Sequence, residues 1–87
     1  MFSVEYAKSA AKDLKSLPKS LRARALNVAE DFLARNPYQG KPLAGPYKGL
    51  CRFRVGEFRI VYSIEKERIV VFVLRIRHRK DVYRGLV

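Results

Sequence analysis

The first residues of the chain alternate between apolar and polar side chains. Phe2, Val4 and Tyr6 are separated by Ser3 and Glu5. A period of two over this length predicts a short strand that buries one of its faces. From residue 7 onward the apolar period lengthens, and the predicted strand therefore ends there.

Two helices are predicted between residues 7 and 36, because apolar residues recur there at steps of three and four. Pro18 separates the two apolar stripes and suits the first turn of the second helix. Asn36 ends that helix, since a residue before proline avoids the helical region. We expect an antiparallel helix hairpin that packs one apolar side on a sheet. The stripes consist of Ala7, Ala10, Ala11, Leu14 and Leu17 in the first helix and of Leu21, Ala25, Val28, Ala29, Phe32 and Leu33 in the second.

Three more strands are predicted after a loop at residues 37–49, which is rich in glycine and proline. Residues 50–55 and 58–64 alternate between apolar and polar side chains, and Gly56-Glu57 between them suits a type II′ hairpin turn. Residues 69–76 begin with a run that is apolar on both faces, which is typical of a central strand.

This order of elements predicts an α+β fold in one domain, residues 1–87. It consists of an N-terminal strand, an antiparallel helix hairpin and a three-stranded antiparallel meander, with the helices packed on one face of the sheet. A chain of 87 residues is short enough for a single hydrophobic core. Residues 81–87 form a short tail after the meander.

The chain is strongly basic, because 19 Lys and Arg against 8 Asp and Glu give a net charge of +11. Self-repulsion at this charge raises the energy of the compact state, so an acidic partner is expected. Nucleic acid is the first candidate, since basic side chains that bind phosphates release condensed counterions. An acidic protein, a membrane surface or a merely solvated surface are the alternatives. The second half of the chain is rich in arginine: Arg52, Arg54, Arg59, Arg68, Arg75, Arg77, Arg79 and Arg84.

The predicted hairpin brings three of these arginines together. With Gly56-Glu57 as the turn, Arg54 faces Arg59 directly, and Arg52 joins the same face by the period of two. Three like charges on one face repel one another unless an anion lies between them. We favour a phosphate-binding face, and a solvated outer face is the alternative.

Few residues of the sequence suit a metal or a cofactor. A single histidine and a single cysteine, without acidic residues at ligand spacing, predict no metal site. The glycines of residues 40–49 do not match a phosphate-binding loop, and no cofactor is expected. Because the sequence has neither a signal-peptide core nor an apolar run near the ~20 residues that cross a bilayer, we expect a cytoplasmic protein without a membrane partner.

This residue set favours RNA over DNA as a substrate. Cleavage of DNA commonly needs water activated by a metal, whereas RNA carries its own nucleophile, the 2′-hydroxyl. An RNase therefore needs a base, an acid and cations that stabilise the charge at phosphorus. The candidates are His78, Arg79 and Tyr83. His78 is equally explained as a surface or capping residue, and Tyr83 as a packing aromatic.

The order of elements, the segments CRFRVGEFRIVYSI and VVFVLRIRHRKDVY and the loop KPLAG together resemble the RelE/ParE toxin superfamily. The most specific pieces are residues 56–62, the strand that ends in His78-Arg79, and the pair Val82-Tyr83. The resemblance covers nearly the whole chain and implies helices on one face of a mainly antiparallel sheet, with a cognate antitoxin as partner. RelE-like members cleave mRNA in the ribosomal A site, whereas ParE-like members poison DNA gyrase.

The resemblance also implies roles for single residues. Arg59 matches the arginine that RelE-like toxins use at the scissile phosphate, and Arg79 matches the one that assists the leaving group. Tyr83 matches the C-terminal tyrosine proposed as the base, and His78 resembles a histidine of several relatives. Four further residues are candidates for binding the RNA backbone, namely Arg52, Arg54, Arg77 and Lys48.

This basic and aromatic set favours the RNase branch. We therefore expect a metal-independent, ribosome-dependent mRNA endoribonuclease whose partners are the ribosome, mRNA and an antitoxin. Because the set is poor in ordinary acids and bases, activity on naked RNA is expected to be weak, with the ribosome supplying substrate geometry. A gyrase inhibitor and a basic RNA-binding module without catalysis are the alternatives.

Overall fold

The computed structural model describes residues 1–84. Its helices are α1 (Lys8–Ser16) and α2 (Lys19–Asn27), and α2 continues into a π-helical segment, Val28–Leu33. Its strands are β1 (Ser3–Tyr6), β2 (Lys41–Pro42), β3 (Leu50–Val55), β4 (Phe58–Glu65) and β5 (Val70–His78). Two short 3₁₀ turns flank β2, at Pro37–Gln39 and Gly45–Tyr47. Within residues 1–84, the helices are too short and too polar to cross a membrane.

The five strands form one mixed sheet in the order β1-β5-β4-β3-β2. β1 runs parallel to β5, and the other neighbours are antiparallel. The predicted α+β class and the meander of β3, β4 and β5 are confirmed, and β5 lies between two neighbours, as its apolar character indicated. Gly56 has a φ of +60°, which fits the first central position of a type II′ turn.

The core lies between the helices and one face of the sheet. The strands contribute Ile60, Tyr62 and Ile76, and the helix stripes contribute Ala10, Leu17, Ala25, Ala29 and Leu33. The helices are therefore packed on one face, as predicted. Ala11 of the predicted first stripe is exposed. Phe32 departs from the predicted stripe, because 45% of it stays exposed and its ring touches only the edge of this layer, against Phe53 at 5.4 Å.

The segment 37–49 contains a strand that the sequence did not reveal. Lys41 and Pro42 pair with Arg52 and Cys51 at the edge of the sheet. Two residues are too few to show a period, so the prediction of a plain loop was wrong at this point. Gly40 allows the approach, because a Cβ there would lie 2.8 Å from the carbonyl oxygen of Arg52.

A β-bulge interrupts the pairing of β4 and β5 between Val61 and Tyr62. Tyr62 pairs with Val73, yet Val61 pairs with Arg75, so Leu74 is the extra residue. If the register of the Tyr62–Val73 pair continued along both strands, Arg59 would face Ile76. The bulge instead aligns Arg59 with Arg77 and turns Ile76 into the core.

The first helix covers the free edge of β5 beyond the end of β1. The Ser9 hydroxyl donates a hydrogen bond of 2.8 Å to the carbonyl oxygen of the bulge residue Leu74. The backbone N–H of Ile76 donates to Oδ2 of Asp13 at 3.0 Å. Side chains of helix α1 therefore satisfy edge hydrogen-bonding groups of β5 that a further strand would otherwise satisfy. These contacts hold the basic end of β5 in position.

Candidate functional site

The cross-strand pairing places basic residues in two rows on the sheet. Arg54 faces Arg59 and Arg59 faces Arg77, while Lys41 faces Arg52 in the neighbouring row. Facing residues share one side of a sheet. Phe53 and Ile60, which alternate with these positions, pack with the core, so the rows lie on the face away from the helices. We call Lys41, Arg52, Arg54, Arg59 and Arg77 the arginine face.

The predicted apposition of Arg54 and Arg59 is confirmed. Within residues 1–84, Arg52, Arg54 and Arg59 have no carboxylate within ion-pair distance. Arg59 uses one guanidinium nitrogen in a long hydrogen bond of 3.4 Å to the carbonyl oxygen of Phe58. Like charges opposite each other destabilise a sheet, and an anion between them would remove that cost.

A cleft of about 290 Å³ adjoins the arginine face and gives it depth. It is lined by Gln39, Gly40, Lys41, Arg52, Phe53, Arg54 and Arg59. Lys41 is a member that sequence reasoning missed, because its place beside Arg52 depends on the unpredicted strand β2. The mixture of guanidinium, ammonium and amide donors in an open cleft suits a phosphate.

Arg75 and Arg77 share the carboxylate of Asp13 in helix α1. The Arg75 guanidinium donates two hydrogen bonds to Asp13, at 2.9 and 3.1 Å, and both side chains are largely buried. Arg77 lies 3.8 Å from the same carboxylate and is more exposed. Arg75 is therefore committed to the fold, whereas Arg77 keeps donors for an anion.

Arg79 stands at the tip of the β3–β4 hairpin rather than on the strands. Its backbone N–H donates to the carbonyl oxygen of Glu57 at 2.9 Å, and its guanidinium lies 3.1 Å from the Glu57 carboxylate. Both side chains are at least half exposed. An exposed ion pair of this kind is weak, so an incoming phosphate can displace Glu57 from Arg79.

His78 lies on the other side of the sheet from Arg59. It pairs with Phe58 in β4, whose ring it contacts at 5.8 Å, and it lines a second cleft with Leu17 and Asp81. Its Nδ1 accepts a hydrogen bond of 3.2 Å from the backbone N–H of Lys80. The structure thus places His78 on the opposite side of the sheet from Arg54 and Arg59, and of the arginine face only Arg77 also lines this second cleft.

Tyr83 belongs to a tail that folds back after β5. The N–H of Asp81 donates to the carbonyl oxygen of His78 at 2.8 Å, and Val82 is completely buried. The Tyr83 ring meets the ring of Tyr47 with centroids 5.1 Å apart and planes inclined by 31°. Sequence reasoning missed Tyr47, since only the folded tail brings it close to Tyr83.

Lys48 directly follows Tyr47 and is exposed at the end of the 3₁₀ turn. It does not line the cleft that holds Arg52, Arg54 and Arg59. The structure therefore places Lys48 beside the tyrosine pair rather than among the arginines.

Three groups on the core side of the sheet have a raised pKa, and so does the exposed Arg68, through its hydrogen bonds to Glu65 and Glu5. Burial raises the pKa of the Cys51 thiol, and burial raises the pKa of the Tyr62 phenol to about 12. Burial and a hydrogen bond to Glu30 also raise the pKa of Tyr6. Cys51 faces Tyr62 across β3 and β4, so both groups lie on the core side, away from the arginine face. The Cys51 thiol and the phenols of Tyr6 and Tyr62 thus all have a raised pKa and not a lowered one.

Possible metal ligands are scattered in the part of the chain that the structure describes, residues 1–84. No three side chains among its His, Cys, Asp and Glu residues come together in a group that could hold a metal ion. What the arginine face offers is a concentration of positive charge and hydrogen-bond donors, which matches an oxyanion.

Comparison with known proteins matches most of the chain to one family. Residues 4–83 match the model of the ParE toxin of type II toxin–antitoxin system, parDE. The toxin RelG of Mycobacterium tuberculosis is 36% identical over 84 residues, which cover 95% of this chain and 97% of RelG. The toxin RelE of the same organism is 33% identical over 95% of this chain and 87% of its own length.

A solved structure shows the same fold. The toxin–antitoxin complex RelBE2 from Mycobacterium tuberculosis contains a chain that superposes with a TM-score of 0.85 and is 34% identical. The match covers 90% of this chain and 98% of that one. The agreement therefore extends over the sheet and both helices.

Proposed function

Because the chain belongs to the RelE/ParE family of toxins from type II toxin–antitoxin systems, we propose that it is a ribosome-dependent mRNA endoribonuclease that inhibits translation. The observation that carries this proposal is the row of Arg54, Arg59 and Arg77 on the face of the sheet away from the helices. A row of guanidinium groups suits the phosphates of an extended RNA strand. The curated relatives RelG and RelE favour this branch over gyrase inhibition.

The proposed reaction is attack by a 2′-oxygen of the message on the adjacent phosphorus. The new P–O2′ bond forms as the P–O5′ bond breaks, which leaves a 2′,3′-cyclic phosphate and a 5′-hydroxyl. One proton leaves the 2′-hydroxyl, and one proton reaches the departing 5′-oxygen. Charge accumulates on the non-bridging oxygens, where Arg59 would stabilise it while Arg52 and Arg54 hold the flanking backbone.

Tyr83 is the better candidate for the base than His78. His78 projects from the core side of β5, whereas Arg59 and Arg77 project from the opposite side. Tyr83 lies on the tail that folds back after β5, where its ring packs against Tyr47. We assign Arg79 to the leaving oxygen, where it would exchange its weak pair with Glu57 for the developing charge.

The proposed function also implies binding partners. The relative RelBE2 was solved as a toxin–antitoxin complex, and we propose a cognate antitoxin for this chain whose acidic residues neutralise the arginine face. The ribosome and its message would be the other partners, which would place the protein in the cytoplasm. Lys48, exposed beside the tyrosine pair, would contact RNA backbone outside the cleft.

The test is a reconstituted translation reaction in which the ends of the message are mapped. The purified protein should cut within codons on the ribosome, and Arg59→Ala should cut at least about a hundredfold more slowly, as for the loss of one transition-state donor. Arg68→Ala is the matched control, since Arg68 is held by Glu5 and Glu65 and not by the arginine face. An intact message with wild-type protein would overturn the proposal.

Gyrase inhibition is the second candidate, and the name of the matching family model favours it. It predicts DNA breaks in a supercoiling reaction together with an intact message. A module that only binds RNA predicts that Arg59→Ala weakens binding although the wild type cuts nothing. The same set of proteins therefore separates the three functions.

A further inference from the structure

Tyr47 lies in a short turn before β3 and meets Tyr83 from the folded tail, with ring centroids 5.1 Å apart. We propose that Tyr47 is a positioning residue, which holds the Tyr83 ring in the orientation needed for proton abstraction. This inference rests on the proposed endoribonuclease function. It assigns to Tyr47 an action through Tyr83, without contact to the reacting atoms.

The Tyr47 side of the contact is rigid. Gly45 has a φ of +64°, and Pro46 fixes the backbone before Tyr47. The backbone N–H groups of Tyr47 and Lys48 donate to the carbonyl oxygens of Ala44 and Gly45, at 3.3 and 3.1 Å. The loop is tied to the sheet at its start, where the N–H of Leu43 donates to the carbonyl oxygen of Leu50 at 2.9 Å.

The Tyr83 side has less support of its own. Residues 79–84 form successive turns rather than a regular helix or strand. The backbone is held by the N–H of Arg84, which donates to the carbonyl oxygen of Asp81 at 3.0 Å, and by the buried side chain of Val82. Within residues 1–84 the Tyr83 hydroxyl makes no hydrogen bond, so its ring is oriented by packing against Tyr47.

Because the backbone around Tyr47 has more support than the backbone around Tyr83, we infer that the Tyr47 ring orients the Tyr83 ring. An aromatic ring that packs at an inclined angle restricts the rotamers of its neighbour. A base that is displaced by about 1 Å can lose two orders of magnitude in rate even though the substrate still binds. Loss of the Tyr47 ring should therefore lower the rate of cleavage more than the affinity for the programmed ribosome.

The experiment is single-turnover cleavage on programmed ribosomes over a series of protein concentrations. Tyr47→Phe keeps the ring and should match the wild type. Tyr47→Leu should lower the rate constant at saturation by about ten- to a hundredfold, while the half-saturating concentration changes less than twofold. Tyr38→Leu is the matched control, because Tyr38 is also a tyrosine of a 3₁₀ turn but packs against Phe2.

A double-mutant comparison separates positioning from a structural role. Tyr83→Phe should be slow, and adding Tyr47→Leu should slow it no further, because the group that Tyr47 orients is already absent. Thermal unfolding of each variant checks the fold, and Tyr47→Met replaces Tyr47→Leu if the latter unfolds. Unchanged cleavage by the folded ring-less variant, a slow Tyr47→Phe, or fully additive losses would each overturn the inference.

The outcomes also distinguish this inference from the proposed function. If the wild type cuts the message and Arg59→Ala does not, the endoribonuclease is established whatever Tyr47 does. If that holds and Tyr83→Phe cuts as fast as the wild type, only the role of Tyr47 falls. If the wild type leaves the message intact, both fall together.

Discussion

Arg54 and Arg59 oppose each other across two strands, and within residues 1–84 no carboxylate lies within ion-pair reach of either. Opposite-charge pairs stabilise such positions by a few tenths of a kcal/mol or more, and like charges cost a similar amount. A protein that keeps this pair on its open face carries a stability cost that an anion can relieve. The arrangement is therefore suited to binding rather than to folding.

Replacing Arg54 with glutamine should stabilise the free protein. We expect a gain of about 0.2–1 kcal/mol at low ionic strength, which corresponds to a few degrees in melting temperature for a chain of this size. The gain should vanish near 1 M salt, where charges are screened within about 3 Å. Thermal unfolding at two salt concentrations measures it.

Arg68→Gln serves as the control for that experiment. Arg68 contacts Glu5 at 2.7 Å and Glu65 at 3.0 Å. Replacing Arg68 removes its attraction to Glu5 and Glu65, whereas replacing Arg54 removes its repulsion of Arg59. The Arg68 variant should therefore not gain stability at low salt. If both variants gain equally, general net charge and not the Arg54–Arg59 pair is the cause.

Tyr62 gives the fold a dependence on alkaline pH. Its hydroxyl donates to the carbonyl oxygen of Pro37 at 2.6 Å, and burial raises its pKa from 10.0 to about 12. The unfolded chain therefore loses this proton before the folded protein does. The contribution of Tyr62 is fully present below pH 10 and declines as the pH rises from 10 to about 12.

Tyr62→Phe should flatten this decline. The free energy of unfolding of the wild type should fall more steeply between pH 10 and 12, by up to about 1.4 kcal/mol per pH unit for one proton. Denaturant unfolding at several pH values measures both slopes. Parallel curves for the two proteins would show that Tyr62 does not cause the loss.

At the scale of the elements, helix α1 completes the sheet where β1 ends. Asp13 accepts hydrogen bonds from the Arg75 guanidinium and from the backbone N–H of Ile76. The end of α1 is held in turn by Arg22, whose guanidinium donates to the carbonyl oxygens of Leu14, Lys15 and Leu17. These contacts link the second helix, the first helix and β5 in one chain of hydrogen bonds.

Asp13→Asn should destabilise the protein by about 2–4 kcal/mol, because it leaves the largely buried Arg75 without its counter-charge. The amide oxygen of the asparagine can still accept the hydrogen bond from the backbone N–H of Ile76. The loss of stability therefore measures the missing charge and not a missing hydrogen bond. Urea unfolding measures the change. Asp31→Asn is the control, since the exposed pair of Asp31 and Arg35 should contribute at most about 0.5 kcal/mol.

Across the whole molecule, most ion pairs lie outside the arginine face, and within residues 1–84 Asp13 is the only acidic residue that pairs with one of its members, Arg77. Glu5 and Glu65 pair with Arg68, Asp31 with Arg35, and Asp81 with Arg84. Four of the five cations of the arginine face therefore have no ion-pair partner within residues 1–84, in a chain whose net charge is +11. Such a distribution favours association with polyanions and makes it sensitive to salt.

Binding of a short single-stranded RNA should show this sensitivity. If roughly four phosphates are contacted, the logarithm of the association constant should fall with the logarithm of salt concentration with a slope near about −3. Lys41→Gln should reduce the slope by about 0.7, as for one lost phosphate contact. Lys12→Gln, on an exposed position of α1, is the control that should leave the slope unchanged.

Features that depend on neighbours along the chain could be predicted from the amino-acid sequence. The hairpin of β3 and β4 and the apposition of Arg54 and Arg59 follow from a two-residue turn and from alternation, which are local. The apolar stripes identified both helices, and the apolar run of β5 identified a central strand. The family resemblance also rested on such local segments, and the family match confirms it.

Features that join distant segments could not be predicted and became visible in the folded chain. The bulge at Leu74 is contacted by Ser9 and the neighbouring Ile76 by Asp13, both more than sixty residues away in the chain. The bulge places Arg77 on the arginine face and His78 on the core side. The same holds for Lys41 and Tyr47, whose neighbours come from later strands and the tail. The alternation of side chains along a strand depends only on that strand. The pairing register, which brings side chains of different strands together in a site, depends on contacts between segments that are distant in the sequence.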